Sequence, residues 1–147
     1  MFVCYFNQIK KNGQVKLFKS YKENFKDGHQ LRDFVYVKDV VKVIFWMLQN
    51  MIDNNKNWTS NKNGLYNLGT GKARTFVDLV HATFNAMHIA PNIQFIEMPE
   101  DIKDTYQYFT EANMQKLQLA GYQEKFYSLE EGISDYVKNY LLGFKYY

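Results

Sequence analysis

Three groups of residues have types and spacing that suit chemistry. Arg32-Asp33 stands just before the aromatic and β-branched run Phe34-Val35-Tyr36-Val37. A guanidinium held at a strand edge presents a planar fork that matches phosphate oxygens, although Asp33 offers a local salt bridge instead. Asn67-Leu68-Gly69-Thr70-Gly71-Lys72-Ala73-Arg74 places a glycine turn between a strand signal and a helix signal, where phosphate can meet helix N–H groups. Neither known fingerprint is complete. Arg74 stands where a dinucleotide loop needs a third small residue, and Ala73 stands where a P-loop needs Ser or Thr, so a tight turn is the simpler reading. Tyr106-Gln107-Tyr108-Phe109 supplies aromatic faces and phenols for a base or sugar, and equally suits a core or an interface.

Other chemistry lacks its residues. None of the 12 tyrosines has a lysine four positions downstream, and no Gly-x-Ser-x-Gly elbow occurs. His29, His81 and His88 lack metal-ligand spacing, and His81 reads as helix surface. No catalytic and no metal residue is therefore assigned. The single cysteine, Cys4, permits no internal disulfide and reads as a small buried hydrophobe. The simplest compartment is a reducing cytoplasm. Lys10, Lys11, Lys16, Lys19, Lys22, Lys26 and Arg32 gather much of the +3 formal charge early in the chain. That excess suits a small anionic ligand and falls short of a nucleic-acid stripe. No apolar run reaches the roughly 18–20 residues of a membrane span, and no signal peptide is evident.

The elements that must position these groups follow from periodicity. The chain has 147 residues, 46% hydrophobic, enough for one domain with a core. The opening reads as helix, and Val15–Phe18 and Phe34–Val37 as strands around a polar excursion containing Asp27-Gly28. Val40, Val41, Val43, Ile44, Met47, Leu48 and Met51 recur at helical spacing, with Asp39 in the first turn, before a polar loop over Asp53–Gly64. Leu65–Leu68 reads as a buried strand, and Thr75 as the cap of a helix bearing Phe76, Leu79, Val80, Thr83, Phe84 and Met87. Ile93–Ile96 reads as a strand closed by Pro99. A short helix entered from Thr110 and Asn113 ends at Gly121, and Ser128 with Glu131 forms a capping box for the last helix. The chain is mixed α and β.

The order of these pieces resembles the C-terminal part of extended short-chain dehydrogenase/reductases that act on nucleotide sugars. The segments that carry the resemblance are Arg32-Asp33-Phe34-Val35-Tyr36-Val37-Lys38-Asp39-Val40 and Tyr66-Asn67-Leu68-Gly69-Thr70-Gly71. Lys16–Glu23, Ile102–Thr110 and the ending Ala120-Gly121-Tyr122 with Ser128–Gly132 are most similar to the ADP-L-glycero-D-manno-heptose 6-epimerase family within that group.

The resemblance implies an α/β substrate-binding portion whose strand–turn–helix pieces complete a Rossmann-type sheet. It implies enzymes that use NADP to oxidise C6 of the heptose transiently and return the hydride to the other face, in making lipopolysaccharide core precursors. By position, Phe18, Lys19, Ser20 and Tyr21 match the nucleotide-sugar-contacting segment, Arg32 the diphosphate-binding arginine and Tyr106 a substrate-contacting tyrosine. The family's dinucleotide fingerprint and catalytic Tyr-x-x-x-Lys have no counterpart in residues 1–147. The expectation is a substrate-binding portion without its NADP-binding domain, catalytically silent and retaining no cofactor alone. Its expected partners are an ADP-sugar and an N-terminal half or a second copy, with neither nucleic acid nor membrane. A non-catalytic binding or assembly module, a relic, or part of another nucleotide-sugar epimerase or dehydratase stands as the alternative. Lys26–Leu31 lengthens the segment before Arg32 relative to the family spacing.

Overall fold

The computed structural model describes residues 2–52, 59 and 62–143. Helix α1 (Phe2–Asn12) buries Phe6 and Ile9, three positions apart on one face, and ends in Lys10 and Lys11 where cations suit the helix dipole. Cys4 is exposed, contrary to the expectation of a buried thiol. It lies two residues before Phe6, about 200° around the helix from that core contact, so it faces water.

Strand β1 (Val15–Phe18) alternates buried Val15 and Leu17 with exposed Lys16. It pairs in parallel with β4 (Ile93–Ile96), in register from Val15↔Ile93 to Phe18↔Ile96. A parallel pair needs a crossover, and the intervening chain supplies α2 (Val37–Ile52) and α3 (Phe76–Ala86). A second, antiparallel pair joins β2 (Leu31–Arg32) to β3 (Arg74–Thr75).

Two expected strands do not form. Phe34–Val37 has no strand partner and α2 begins at Val37. Its side chains anchor it instead: the Phe34 ring meets Phe76 edge-on at 5.6 Å, and Tyr36 packs on Tyr127 and donates its hydroxyl to Asp135. Leu65–Leu68 is likewise unpaired. Tyr66 and Leu68 pack against a small core, while Leu65 is 93% exposed. The alternation of a strand is present without a neighbouring strand, and Lys116 Nζ donates to Leu65 O at 2.7 Å in place of a ladder bond. Most of the expected Asp53–Gly64 loop lies outside the described residues.

Helix α3 is closed by a capping box in which the Thr75 hydroxyl accepts from Asp78 N–H at 3.0 Å and Asp78 accepts from Thr75 N–H at 3.1 Å. It buries Phe76, Leu79, Val80, Thr83 and Phe84 against α1, β1 and α6 (Leu129–Tyr136). The expected Ser128–Glu131 box starts α6, which runs into a π-helical turn at Val137–Leu141 with Val137 buried. Short α4 (Glu100–Lys103) follows Pro99, and α5 (Gln115–Ala120) stops at Gly121, whose φ of 114° is left-handed.

Helix α2 differs from α3. Val43 and Asp39 are buried, and Trp46 and Met47 pack on the smaller core of Met114, Leu117 and Tyr122. Val41, Ile44, Phe45, Leu48, Met51 and Ile52 are all exposed. Much of the apolar stripe expected to face a core is open.

The Lys26–Leu31 segment turns inward, with His29 N–H donating to Lys26 O at 3.0 Å and Gly28 N–H donating to Phe18 O at 3.2 Å. Gly28 has a φ of 72°, and a Cβ there would stand 2.8 Å from Val77 Cγ2 and 2.9 Å from Phe95 Cε1. Gly28→Ala is therefore expected to destabilise the chain by about 2 kcal/mol through crowding and positive φ. A lower urea midpoint at unchanged slope checks it.

Candidate functional site

Because β1 and β4 are parallel, the residues that follow them leave the same edge of the pair. Open α/β sheets bind ligands beyond the carboxyl ends of their strands. Phe18, Lys19, Ser20 and Tyr21 emerge there from β1, and Glu97 from β4, with Lys19 N–H donating to Ile96 O at 2.8 Å. The 108–110 segment runs beside β2, where Leu31 N–H donates to Tyr108 O at 2.8 Å and Thr110 N–H to Leu31 O at 3.2 Å. This pairing brings Tyr106 and Gln107 to Arg32.

Phe18, Arg32 and Tyr106 converge. Tyr106 lies edge-on to Phe18 at 6.2 Å, and the Arg32 guanidinium carbon is 5.6 Å from the Tyr106 ring centroid and 5.8 Å from that of Phe76. Arg32 donates from Nη1 to Leu31 O at 2.8 Å and from Nη2 to Gln107 O. Carbonyls hold it, and among the described residues no carboxylate pairs with it. Burial pushes the Tyr106 phenol above its ordinary pKa; neighbouring Arg32 opposes this and Tyr108 adds to it. Tyr106 is a neutral hydroxyl at physiological pH.

The other three expected residues are engaged differently. Lys19 Nζ is 2.6 Å from Glu97 Oε1, and the Tyr21 hydroxyl donates to Glu97 Oε2. Tyr21 N–H donates to the Tyr108 hydroxyl at 2.9 Å, and Ser20 N–H donates to Asp27 Oδ1 at 2.7 Å. Lys22 lies over the Tyr108 ring at 4.6 Å. Glu97 was absent from the expected set; its only sequence signal is its place immediately after a strand. A cavity of about 530 Å³, lined by residues such as Phe2, Phe34, Tyr36, Leu79 and Tyr136, touches none of the six.

Asp33 does not neutralise Arg32. Its carboxylate accepts from Thr70 N–H at 2.7 Å, Gly71 N–H at 2.9 Å, Ala112 N–H at 3.0 Å and the Thr70 hydroxyl at 2.5 Å. Burial alone would raise its pKa, but the hydroxyl and backbone donors outweigh that and hold it below the usual carboxylate range. The glycine turn thus grips an internal carboxylate. A Cβ at Gly69 would come within 2.4 Å of Asp33 Oδ2. The turn does not fit the pyrophosphate of a dinucleotide cofactor, because its N–H groups are already used. Arg74 is also occupied, with Nε 3.2 Å from Asp78 and Nη2 2.7 Å from Glu130.

Residues 1–69 match the NAD dependent epimerase/dehydratase family. Over 142 residues the sequence is 55% identical to an ADP-L-glycero-D-manno-heptose-6-epimerase of Fusobacterium nucleatum, covering 92% of this chain and 40% of that protein. The chain is similar to heptose 6-epimerases. It spans about 40% of the length of this curated epimerase relative. Among solved structures, the ADP-L-glycero-D-manno-heptose-6-epimerase of Helicobacter pylori aligns with a TM-score of 0.64 at 24% identity, covering 95% of this chain and 37% of that one. A Thermus thermophilus UDP-glucose 4-epimerase in complex with NAD aligns with a TM-score of 0.66 at 23% identity, covering 90% and 37%. These epimerase likenesses bear out the α/β fold. No helix among the described residues is long and apolar enough to cross a membrane.

The Asp33 cage makes a testable statement about stability. Its lowered pKa means that its contribution is present above the unfolded value near 3.9 and is lost as pH falls through the lower folded value. Asp33→Asn is expected to cost about 2 kcal/mol at pH 7, discounted for partial exposure. The difference from wild type should shrink below about pH 4. Urea titrations of both proteins across that range check it.

Proposed function

We propose that this chain is the nucleotide-sugar-binding, C-terminal portion of a cytoplasmic ADP-glycero-manno-heptose 6-epimerase, serving lipopolysaccharide core precursor synthesis. The observation that carries this is Arg32, a guanidinium fixed by two carbonyls, without a carboxylate partner among the described residues, and set between Phe76 and Tyr106. Carbonyls orient the fork and leave its charge for phosphate oxygens. Phe18 and Tyr106 supply faces for a base or sugar, and the neutral Tyr106 hydroxyl donates to a sugar or phosphate oxygen. Lys19, Ser20 and Tyr21 border the same edge. The 55% identity to a named heptose epimerase supports ADP-heptose as the ligand.

The chemical step needs groups that residues 1–147 do not supply. The hydride belongs to NADP, whose cradle the described glycine turn does not form, and no Tyr-x-x-x-Lys pair occurs in the sequence. Alone, the chain binds substrate without turnover and retains no NADP. A nucleotide-binding portion completes it. Two features support that partner: the exposed apolar face of α2 and the unpaired, alternating Leu65–Leu68 segment beside it in sequence. A strand edge would satisfy the second while its sheet covers the first.

Calorimetric titration tests ligand choice. An ADP-sugar is expected to bind more tightly than UDP- or dTDP-sugars, and Arg32→Ala to weaken it by about 2 kcal/mol, roughly 30-fold. Equal, weak binding of all three would overturn the assignment to ADP-heptose.

Complementation tests the partner. Added to the nucleotide-binding portion of a heptose epimerase, the chain is expected to form a complex that holds NADP and turns over ADP-heptose, while Ile44→Lys loses the complex and keeps ADP-sugar binding. NADP retention or turnover by the purified chain alone would defeat this reading.

A further inference from the structure

The carboxyl ends of β1 and β4 carry an interaction that the proposed recognition leaves unexplained. Glu97 holds two members of the ligand-facing segment at once, with Lys19 Nζ on Oε1 at 2.6 Å and the Tyr21 hydroxyl on Oε2. Neither ionic side chain is sequestered, since those of Lys19 and Glu97 are 44% and 65% exposed. An exposed pair of this kind contributes little to folding, so a stronger anion can displace it at small cost.

Two neighbouring charged groups are engaged elsewhere. Asp27 accepts from Ser20 N–H at 2.7 Å, and Lys103, paired with Glu100, lies 4.0 Å from the Tyr21 ring centroid. Across the Phe18–Tyr106 contact stands Arg32, without a carboxylate partner among the described residues. Among the described residues, Arg32 and Lys22 at this end of the strand pair lack a carboxylate partner, while Lys19 and Lys103 are each paired with one, and of these two only Lys19 shares its carboxylate, Glu97, with a residue of its own segment, Tyr21.

We propose that Glu97 is a specificity-determining residue that acts as an internal anion, occupying Lys19 and Tyr21 until a nucleotide diphosphate displaces it. This rests on the nucleotide-sugar reading above. A diphosphate anchored at Arg32 has charge left to draw Lys19 from Glu97, whereas an uncharged nucleoside has none. Glu97 thereby makes full engagement of the segment depend on the ligand's charge and weakens every anion's binding by its own repulsion.

The test titrates ADP, adenosine and inorganic pyrophosphate into the full chain and into Glu97→Gln, which preserves size while removing charge. Glu97→Gln is expected to tighten ADP by roughly three- to tenfold, with a steeper salt dependence, and to leave adenosine unchanged. Lys19→Met in the Glu97→Gln background removes that gain, and Glu97→Asp restores wild-type behaviour. Unchanged or weaker ADP binding by Glu97→Gln, including no binding by either protein, overturns the proposal. Arg32-dependent ADP binding indifferent to Glu97 refutes the internal anion and keeps the nucleotide reading. A gain for pyrophosphate equal to that for ADP, with no adenosine binding, supports the internal anion and counts against the nucleotide reading.

Discussion

The carboxylate of Asp33 joins three segments that are far apart in sequence. It takes the backbone N–H groups of Thr70, Gly71 and Ala112 together with the Thr70 hydroxyl. Those donors would otherwise be left in a loop with no strand to satisfy them. The same contact fixes the facing of its neighbour. In extended chain, successive side chains point to opposite sides, so turning Asp33 toward the glycine turn turns Arg32 toward Tyr106. Gly69 has no room for a side chain because the carboxylate already fills that space. The candidate ligand site is thus built on a structural anion placed behind its cation.

Helices α2 and α3 have similar apolar periodicity and opposite fates. The residues of α3 are sealed by α1, β1 and α6, whereas α2 touches a small core through Val43, Trp46 and Met47 and leaves Ile44, Phe45 and Leu48 in water. Amphipathicity records that a helix was selected to be covered, not by what. Two-stranded pairs offer too little surface to cover two helices on their own. The open face of α2 and the Leu65–Leu68 segment without a strand partner are the two features on which the proposed nucleotide-binding partner rests.

What was legible in the sequence was local. The capping boxes at Thr75 and Ser128 need residues three positions apart, and Gly121 ends its helix by its own conformation, so each could be read without tertiary knowledge. Strands are different because they exist only with a partner. Phe34–Val37 and Leu65–Leu68 have strand composition, yet the first is used for ring packing and the second packs on the smaller core without a strand partner. Cys4 was misread because helix phase decides burial, and Phe6 and Ile9 claimed the inner face. Of the residues the resemblance singled out, Phe18 and Arg32 each meet Tyr106 in the structure. Glu97 escaped because its meaning depends on the parallel pairing of strands 78 residues apart in register, Val15 with Ile93.

The clearest physical argument for a ligand role lies in the two arginines of the short antiparallel ladder. Arg32 and Arg74 are register partners, and like charges directly opposite each other repel. The molecule answers that repulsion on one side. Arg74 is given two carboxylates, Asp78 and Glu130, while Arg32 is given backbone carbonyls and two aromatic rings. Asp33, the nearest acid in sequence, is diverted to the glycine turn. A purely structural pair could have been neutralised symmetrically. Quenching Arg74 makes it tolerable to keep Arg32 charged, oriented and, among the described residues, without its own carboxylate. That is the condition under which a guanidinium can recognise a diphosphate rather than merely hold a fold together.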